Sequence, residues 1–489
     1  MEILNKYRKY TDIAELRVDC LNPDERLLIR QFPQRADIPV ILTIRRDIDG
    51  GYFNSGDGAR INLMARGLAY ADADKRRNFA YLDIEEDLNV PSLEEAARTF
   101  GIKIIRSYHN VKGTDTDLSE KFRSMLRSED AIIKISVYAN STSDVYRLMQ
   151  TGKEFKKQAK ILIASGHYGI YSRILARQFG SFLSYTSALA EPDALPAAPG
   201  QIEITELVNN YNFKSIKNDT KIFGVLGNPL KKTASPVFFN SIFKMEGISA
   251  VYVPFPSDSV DVFFNMIKDF NIQGLSVTVP FKEEVIEKLD RQTEEIVSYG
   301  ACNTIYKDGA DFVGTNTDGK GFSDSLLAFL NRTHLKKIKT TIIGAGGVAK
   351  AVAYELHRLG ARVLILNRSA HKAQSLAAKY KFAWNALDKH GIEMMNKYKD
   401  LIIQTTTAGM EGSGFDDPIP MYHFTGKESV MDLVYSPEMT PFLKRAQDSG
   451  CKIQNGYDML IRQAQYQYTY FFGRDFPKHL MSRIKTNGK

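Results

Sequence analysis

Seven short runs of β-branched and aromatic residues recur through the first 190 residues of the chain: IAELRV (13–18), VILTIR (40–45), FAYLDI (79–84), KIIRSY (103–108), AIIKIS (131–136), KILIAS (160–165) and SFLSYT (181–186). Stretches of helical pattern such as LEEAARTF and SDVYRLMQTGKEF lie between them. Strand and helix alternating in this way give the βαβ rhythm of a parallel sheet, and about 200 residues of it fit a small (β/α) barrel. A closed barrel of this kind has eight strands. One strand is therefore unread, and its expected place is the extreme N-terminus, where the chain starts in a helical pattern.

At 489 residues the chain is too long for one core, so two or three are expected. A Pro/Ala/Gly-rich stretch, EPDALPAAPGQ (191–201), closes the barrel region, and the polar NFKSIKNDTK (212–221) reads as a joint. A second βα series begins at KIFGVLGNP and ends in a helix over 458–472. The division this suggests is a barrel over 1–208, a linker over 209–221, a substrate-binding domain over 222–323 completed by 456–489, and a Rossmann domain over 324–455. The fold class is thus α/β throughout. The formal charge of +8 comes from basic residues dispersed among acids, which speaks against a nucleic-acid partner. No apolar run approaches the roughly 20 residues of a spanning helix, so no membrane partner is expected. The opening residues carry no signal-peptide pattern, which makes the cytoplasm the expected compartment. Cys20, Cys302 and Cys451 are far apart and form no CxxC pair, so neither a disulfide framework nor a metal site is expected.

Side chains of a strand alternate between faces. In the barrel region one face repeatedly carries polar groups: Glu15, Arg17 and Asp19; Asp83 and Glu85; Ser107 and His109; Lys134 and Ser136. Taken singly, each has an ordinary reading: Arg17 with Glu15 as a buried ion pair, His109 as a satisfied core histidine, Lys134 as a solvated residue. Repetition of the pattern on several strands favours a site, because charge inside a barrel is costly unless paired, and barrel enzymes keep their chemistry at strand C-terminal ends. Burial would favour the neutral amine of Lys134, a nucleophile able to form a Schiff base with a ketone. His109 could then take a proton alpha to the iminium.

The segments ELRVD, TIRRDIDGG, SYHN, KIS, GIYSR and APGQ resemble, in order and spacing, the motifs of the type I 3-dehydroquinate dehydratases over about residues 1 to 205. The resemblance implies that Lys134 forms the imine and that His109 acts as general base and acid. It also implies that Glu15, Arg17, Arg45, Arg173 and Gln201 bind the carboxylate and hydroxyls of 3-dehydroquinate. Two positions depart from the family pattern. Asp49 stands where the family has Glu, which shortens the side chain that would support His109, and Ala197 replaces a serine.

In the second half, the turn Gly344-Ala345-Gly346-Gly347-Val348-Ala349 follows the strand-like TTII and opens a helix, which matches G-x-G-x-x-G/A in its proper context. The next strand ends in Asn367, Arg368 and Ser369, with Lys372 one turn on, where an NAD enzyme commonly has an acid. That composition suits the 2′-phosphate of NADP. Upstream, SVTVPFKE, GACNT and GTNTDGKG place Lys282, Asn303 and Asp318, and the plain alternative for Lys282 with Asp318 is a surface ion pair. Together with GNPLKKTASP, DLVYSPEMTPFL and GYDMLIRQA, these segments resemble the shikimate dehydrogenases over about residues 222 to 475. The resemblance implies that Lys282 and Asp318 handle the proton while NADPH reduces 3-dehydroshikimate to shikimate. Thr233, Ser235, Thr278, Asn303, Tyr435 and Gln463 would hold the substrate. Lys232 and Thr233 replace the usual histidine and serine. Two alternatives stay open at this point, a quinate dehydrogenase and a non-catalytic protein that binds pathway intermediates. Oligomeric state is not legible.

Overall fold

A computed structural model of the chain describes residues 1–69, 71–126, 131–188, 198–230, 233–410 and 412–481. It falls into two compact units, Met1–Ile272 and Gln273–Lys489. After a short helix, Glu2–Tyr7, the first unit runs through β1 (Ala14–Arg17), β2 (Val40–Thr43), β3 (Tyr81–Glu85), β4 (Lys103–Asn110), β5 (Ile132–Tyr138) and β6 (Lys160–Ser165). All pair in parallel in the order β1-β2-β3-β4-β5-β6, with helices such as Gly56–Leu68, Thr142–Glu154 and Ile170–Ile174 in the connections.

Alternation sorts the strand residues into two surfaces. One set, including Val40, Leu42, Leu82, Ile84 and Ile104, packs in a cluster with Met64, Leu68, Leu93 and Ala97 from the helices. On the other face the residues nearest the strand starts are apolar: Ile41, Tyr81, Ile105, Ile132, Ile161 and Ile163 form a second cluster. The polar residues of the same face come two or four positions later, so an apolar floor lies beneath a charged upper layer.

Among the described residues the sheet has six strands, one fewer than the seven runs suggested. The run 181–186 stays outside the ladder, and the N-terminal residues form a helix instead of the unread strand. Phe182 N donates to Lys160 O of β6 at 2.7 Å, but the next β6 donor, Leu162 N, goes to Ser181 Oγ at 2.9 Å instead of a backbone carbonyl, and Ser184 Oγ turns to Arg173 O of a helix at 2.9 Å. Leu183 and Tyr185 of this run pack against the apolar floor.

The first unit continues with β7 (Lys221–Gly227), the helix Ser235–Glu246, β8 (Ala250–Pro256) and the helix Val260–Ile267. Strands β7 and β8 pair in parallel. Buried Asn240 fastens the first helix to β8, donating to Tyr252 O at 2.9 Å and accepting from Tyr252 N at 2.7 Å.

In the second unit, β9 (Ile272–Val277), β10 (Arg291–Gln292), β11 (Thr304–Asp308) and β12 (Asp311–Thr315) make a mixed sheet, with β11 antiparallel to both β9 and β12. Strands β13 (Lys339–Ile343), β14 (Arg362–Asn367), β15 (Ala383–Ala386), β16 (Leu401–Gln404), β17 (Ser429–Asp432) and β18 (Lys452–Gln454) form a parallel sheet in the order β15-β14-β13-β16-β17-β18. This is the doubly wound Rossmann order, and its switch point lies between β13 and β16. The helix Tyr457–Phe472 returns to the mixed sheet, where Gln467 accepts from Ser276 Oγ at 2.8 Å and donates to Thr304 Oγ1 at 3.0 Å. Among the described residues no helix is long and apolar enough to cross a membrane.

At the switch point Gly344 has φ +114°, and a Cβ there would lie 2.4 Å from Thr405 Oγ1. Gly344→Ala should therefore distort the turn at a cost of about 1–3 kcal/mol. Denaturant unfolding of the variant checks this, and an undiminished stability would show that the turn does not need its glycine.

Candidate active sites

The upper ends of β1–β6 surround a cavity of about 200 Å³. Its walls include all seven residues expected there: Glu15, Arg17, Arg45, His109, Lys134, Arg173 and Gln201. Lys134, 5% exposed, donates to Asp83 Oδ2 at 2.9 Å, lies 3.8 Å from Glu15 Oε1 and stands 4.4 Å above the Tyr185 ring. Burial of the ammonium is thus offset by carboxylates. Asp83 also accepts from Ser107 Oγ at 2.6 Å and from Arg45 at 2.9 Å. Arg45 reaches Glu85 at 2.7 Å, and Arg60 reaches the other oxygen of Glu85 at 2.8 Å. Burial would raise the Asp83 carboxyl, but Arg45 and Lys134 hold it well below the usual carboxylate range. Burial and the neighbouring Asp83 charge raise Glu85.

Arg45 Nη1 lies 3.2 Å from His109 Nδ1. A guanidinium can only donate, so Nδ1 accepts and a neutral ring carries its proton on Nε2. Burial first, then the Arg45 and Lys134 charges, push the His109 pKa well below that of an ordinary imidazole. Arg17 bonds Asp19 at 2.9 and 2.7 Å, so the expected alternative of an Arg17–Glu15 pair gives way to a neighbour two residues on. Glu15 instead accepts from Thr43 Oγ1 at 2.9 Å. Asp49 bonds Arg46 at 2.6 Å, which turns its carboxylate to that arginine. Gln201 accepts from Ser187 Oγ at 2.9 Å.

Arg173 differs from the other cations that line the cavity. It is 2% exposed and bonds only neutral oxygens, Ser165 Oγ at 3.1 Å and Tyr185 O at 3.5 Å; no carboxylate pairs with it among the described residues. Burial lowers it to about 10, so it is charged at neutral pH. An unpaired cation facing a small cavity is suited to an anionic ligand, and the guanidinium fork suits a carboxylate.

In the second unit Lys282 donates to Asp318 Oδ2 at 2.6 Å. The two residues are only 9% and 7% exposed, so the surface-pair alternative fails. Asn303 Nδ2 donates to Asp318 Oδ1 at 2.7 Å and lies 3.3 Å from Gln463 Oε1. Thr317 N donates to Asn303 Oδ1 at 2.8 Å, which orients that amide. Lys282, Asp318, Asn303 and Gln463 are therefore brought together from four separate segments. Thr278 is half-buried just beyond β9. Tyr435 is half-buried in the loop after β17, which Asp432 anchors by accepting from Val434 N at 2.9 Å and Thr440 Oγ1 at 2.7 Å. In the first unit, Thr233 Oγ1 accepts from Ser235 N at 3.4 Å at the head of the helix Ser235–Glu246. Ala197 and Lys232 lie outside the described residues.

The glycine-rich turn 344–349 leads from β13 into the helix Gly347–Arg358. A Cβ on Gly346 would meet nothing within 4 Å, whereas one on Gly347 would lie 3.9 Å from Lys282 Cδ. The turn is open enough to admit a pyrophosphate and lies close to the Lys282 side chain. Asn367 donates to Ser369 O at 3.0 Å, while Arg368, Ser369 and Lys372 are exposed. Arg368 stands 5.1 Å above the Phe415 ring. The basic, acid-free end of β14 fits a 2′-phosphate.

Asp83 and Glu85 already share the polar face of the strand pattern, although their pairing with Lys134 and Arg45 is not local. Arg60, Tyr185, Thr317 and Phe415 give no such signal, because they reach the sites from helices or loops.

Family models match three stretches: type I 3-dehydroquinase over residues 1–218, the shikimate dehydrogenase substrate binding domain over 225–305, and shikimate / quinate 5-dehydrogenase over 327–411. The chloroplastic bifunctional 3-dehydroquinate dehydratase/shikimate dehydrogenase of Arabidopsis thaliana is 28% identical over 494 residues, covering 97% of this chain and 79% of that protein. The shikimate dehydrogenase (NADP(+)) of Pyrococcus furiosus is 36% identical over 270 residues, covering 55% of this chain and 96% of that protein. Among solved structures, the shikimate dehydrogenase of Aquifex aeolicus matches with a TM-score of 0.50 and 31% identity, over 55% of this chain and 99% of that one.

With its pKa depressed, His109 stays neutral and available as a base below the ordinary imidazole value of about 6.5. The acid limb of kcat/KM for the barrel reaction should therefore fall below that pH. A pH profile checks it, and loss of activity centred on the ordinary value would contradict the assigned environment.

Proposed function

The chain belongs to the shikimate dehydrogenase family and carries a type I 3-dehydroquinase ahead of it, and on that premise we propose how its residues divide two consecutive reactions. It dehydrates 3-dehydroquinate to 3-dehydroshikimate and reduces that product to shikimate with NADPH, two steps of the shikimate pathway. Residues 1–208 carry the first reaction. The second belongs to 222–323 with 456–489 as substrate-binding domain, and to 324–455 as cofactor domain.

The observation that carries the assignment is the pairing of functions in one cavity: Lys134 among carboxylates, and Arg173 with none among the described residues. Arg173 takes the substrate carboxylate. The Lys134 amine, having shed a proton, adds to the substrate ketone, and loss of water gives an iminium. His109 removes the proton alpha to it; the electron pair expels the β-hydroxyl, which leaves as water with the proton returned by His109. Hydrolysis of the iminium frees product and restores the lysine. The proton taken up by His109 lands on Nδ1, the atom Arg45 now occupies, so Arg45 must release it during turnover. Glu15, Arg17 and Gln201 bind the hydroxyls.

In the second reaction NADPH supplies the hydride. Lys282 and Asp318 hold the proton delivered to the new hydroxyl, and Asn303 with Gln463 fixes the aspartate and the ring. Thr233, Ser235, Thr278 and Tyr435 bind the remaining polar groups of the substrate. Arg368, Ser369 and Lys372 read the 2′-phosphate. The three free cysteines suit a reducing compartment, and we place the protein in the cytoplasm.

Borohydride added with 3-dehydroquinate should leave a reduced adduct on Lys134, located by peptide mass spectrometry. An active enzyme giving an adduct elsewhere, or none, would sink the imine assignment. Separately, Arg368→Ala should weaken NADP by about 1.5–3 kcal/mol and barely touch NAD. Equal weakening of both cofactors in titrations would show that Arg368 does not read the phosphate.

A further inference from the structure

The first unit contains more than the barrel: β7, β8 and the helix Val260–Ile267 belong to the stretch matched by the shikimate dehydrogenase substrate-binding family. This lobe meets the barrel along the helix Thr142–Glu154 and around the helix Ile170–Ile174. At its N-terminus Asp258, just ahead of the lobe helix, accepts from Thr142 N at 2.9 Å and Thr142 Oγ1 at 2.6 Å, and Asp258 N donates back to Thr142 Oγ1 at 3.2 Å. A carboxylate there also meets the positive end of the helix dipole. At the C-terminal end Asp269, just beyond the lobe helix, accepts from Gln150 Nε2 at 2.9 Å and pairs with Lys153. The two helices therefore lie side by side, clamped by a carboxylate at each end.

Around the helix Ile170–Ile174 the contact is aromatic. Tyr171 is fully buried, with its ring 5.2 Å from that of Phe255 and its hydroxyl 3.4 Å from Met266 Sδ. Phe179 lies 5.7 Å from Phe270. An apolar centre with polar pairs at its margin is the anatomy of a specific interface. Tyr171 sits on the short helix Ile170–Ile174, which also carries Arg173. Two residues apart, one side chain meets the lobe and the other lines the dehydratase cavity.

We propose that the lobe of the dehydrogenase docks on this barrel face and, through Tyr171, sets the position of Arg173, so that part of the second enzyme supports the active site of the first. Tyr171, Met266 and Asp258 are positioning residues in this scheme. The inference rests on Arg173 as the carboxylate anchor. If Arg173→Ala leaves the KM for 3-dehydroquinate unchanged, that reading fails by itself, whatever the docking does.

The test uses the full chain with a protease site inserted in the exposed segment 217–219. After cutting, the parent should still elute as one particle with its KM for 3-dehydroquinate unchanged. The cut Asp258→Ala/Met266→Ala variant should separate, and its barrel should show a KM raised about tenfold or more while borohydride still marks Lys134. Retention of the adduct distinguishes mispositioning from unfolding. Should that variant fail to fold, Lys153→Glu changes only a partly exposed side chain; it should loosen the cut complex, and adding Asp269→Lys should restore it. Separation of the cut parent would overturn the proposal, as would an unchanged KM in the freed barrel or an unaltered complex in the Lys153→Glu variant.

Discussion

The ion pair between Lys134 and Asp83, 2.9 Å apart and almost wholly buried, is the constraint around which the barrel is arranged. A buried ammonium is tolerated only with partners, and a buried carboxylate likewise. Asp83 needs Arg45 and Ser107 as well as Lys134; Arg45 needs Glu85; Glu85 brings in Arg60 from a helix. Glu15, Asp83 and Glu85 thereby balance Lys134, Arg45 and Arg60, and among the described cavity residues Arg173 remains a cation without a carboxylate of its own. The cavity is neutral where chemistry occurs and positive where an acid must bind. Burial first, and then the Arg45 and Lys134 charges, keep His109 uncharged and able to accept a proton.

The second site uses a simpler version of this arrangement. Lys282 and Asp318 neutralise each other, and Asn303 holds the second carboxylate oxygen so that the aspartate has one orientation. The cofactor turn contributes no charge at Gly346 and Gly347, and its openness and the approach of Lys282 follow from the missing side chains. Charge reappears only at the end of β14, where Arg368 rests on Phe415.

Much of this was legible in the chain because strand alternation is local: the spacing of Glu15 and Arg17, or Ser107 and His109, reports a shared face without any knowledge of the fold. The Rossmann turn was legible for a similar reason, since its glycines, strand and helix are contiguous. Which charge meets which was not legible. Arg17 turns to Asp19 and Asp49 to Arg46, choices among near neighbours that a period-two pattern leaves open. The run 181–186 carries the composition of a strand, but Ser181 Oγ takes Leu162 N, a β6 group that a ladder would use. The polar segment 212–221 reads as the only joint between the halves, whereas Thr142, Lys153 and Tyr171 also bind the lobe, each looking in sequence like an ordinary helix residue.

The central claim is that one polypeptide performs both reactions in order, and it is tested most directly by supplying the purified chain with 3-dehydroquinate and NADPH alone. NADPH should be oxidised and shikimate should accumulate in equal amounts, with no other enzyme present. If NADPH stays reduced with 3-dehydroquinate while supplied 3-dehydroshikimate is consumed, the barrel is not the dehydratase described here.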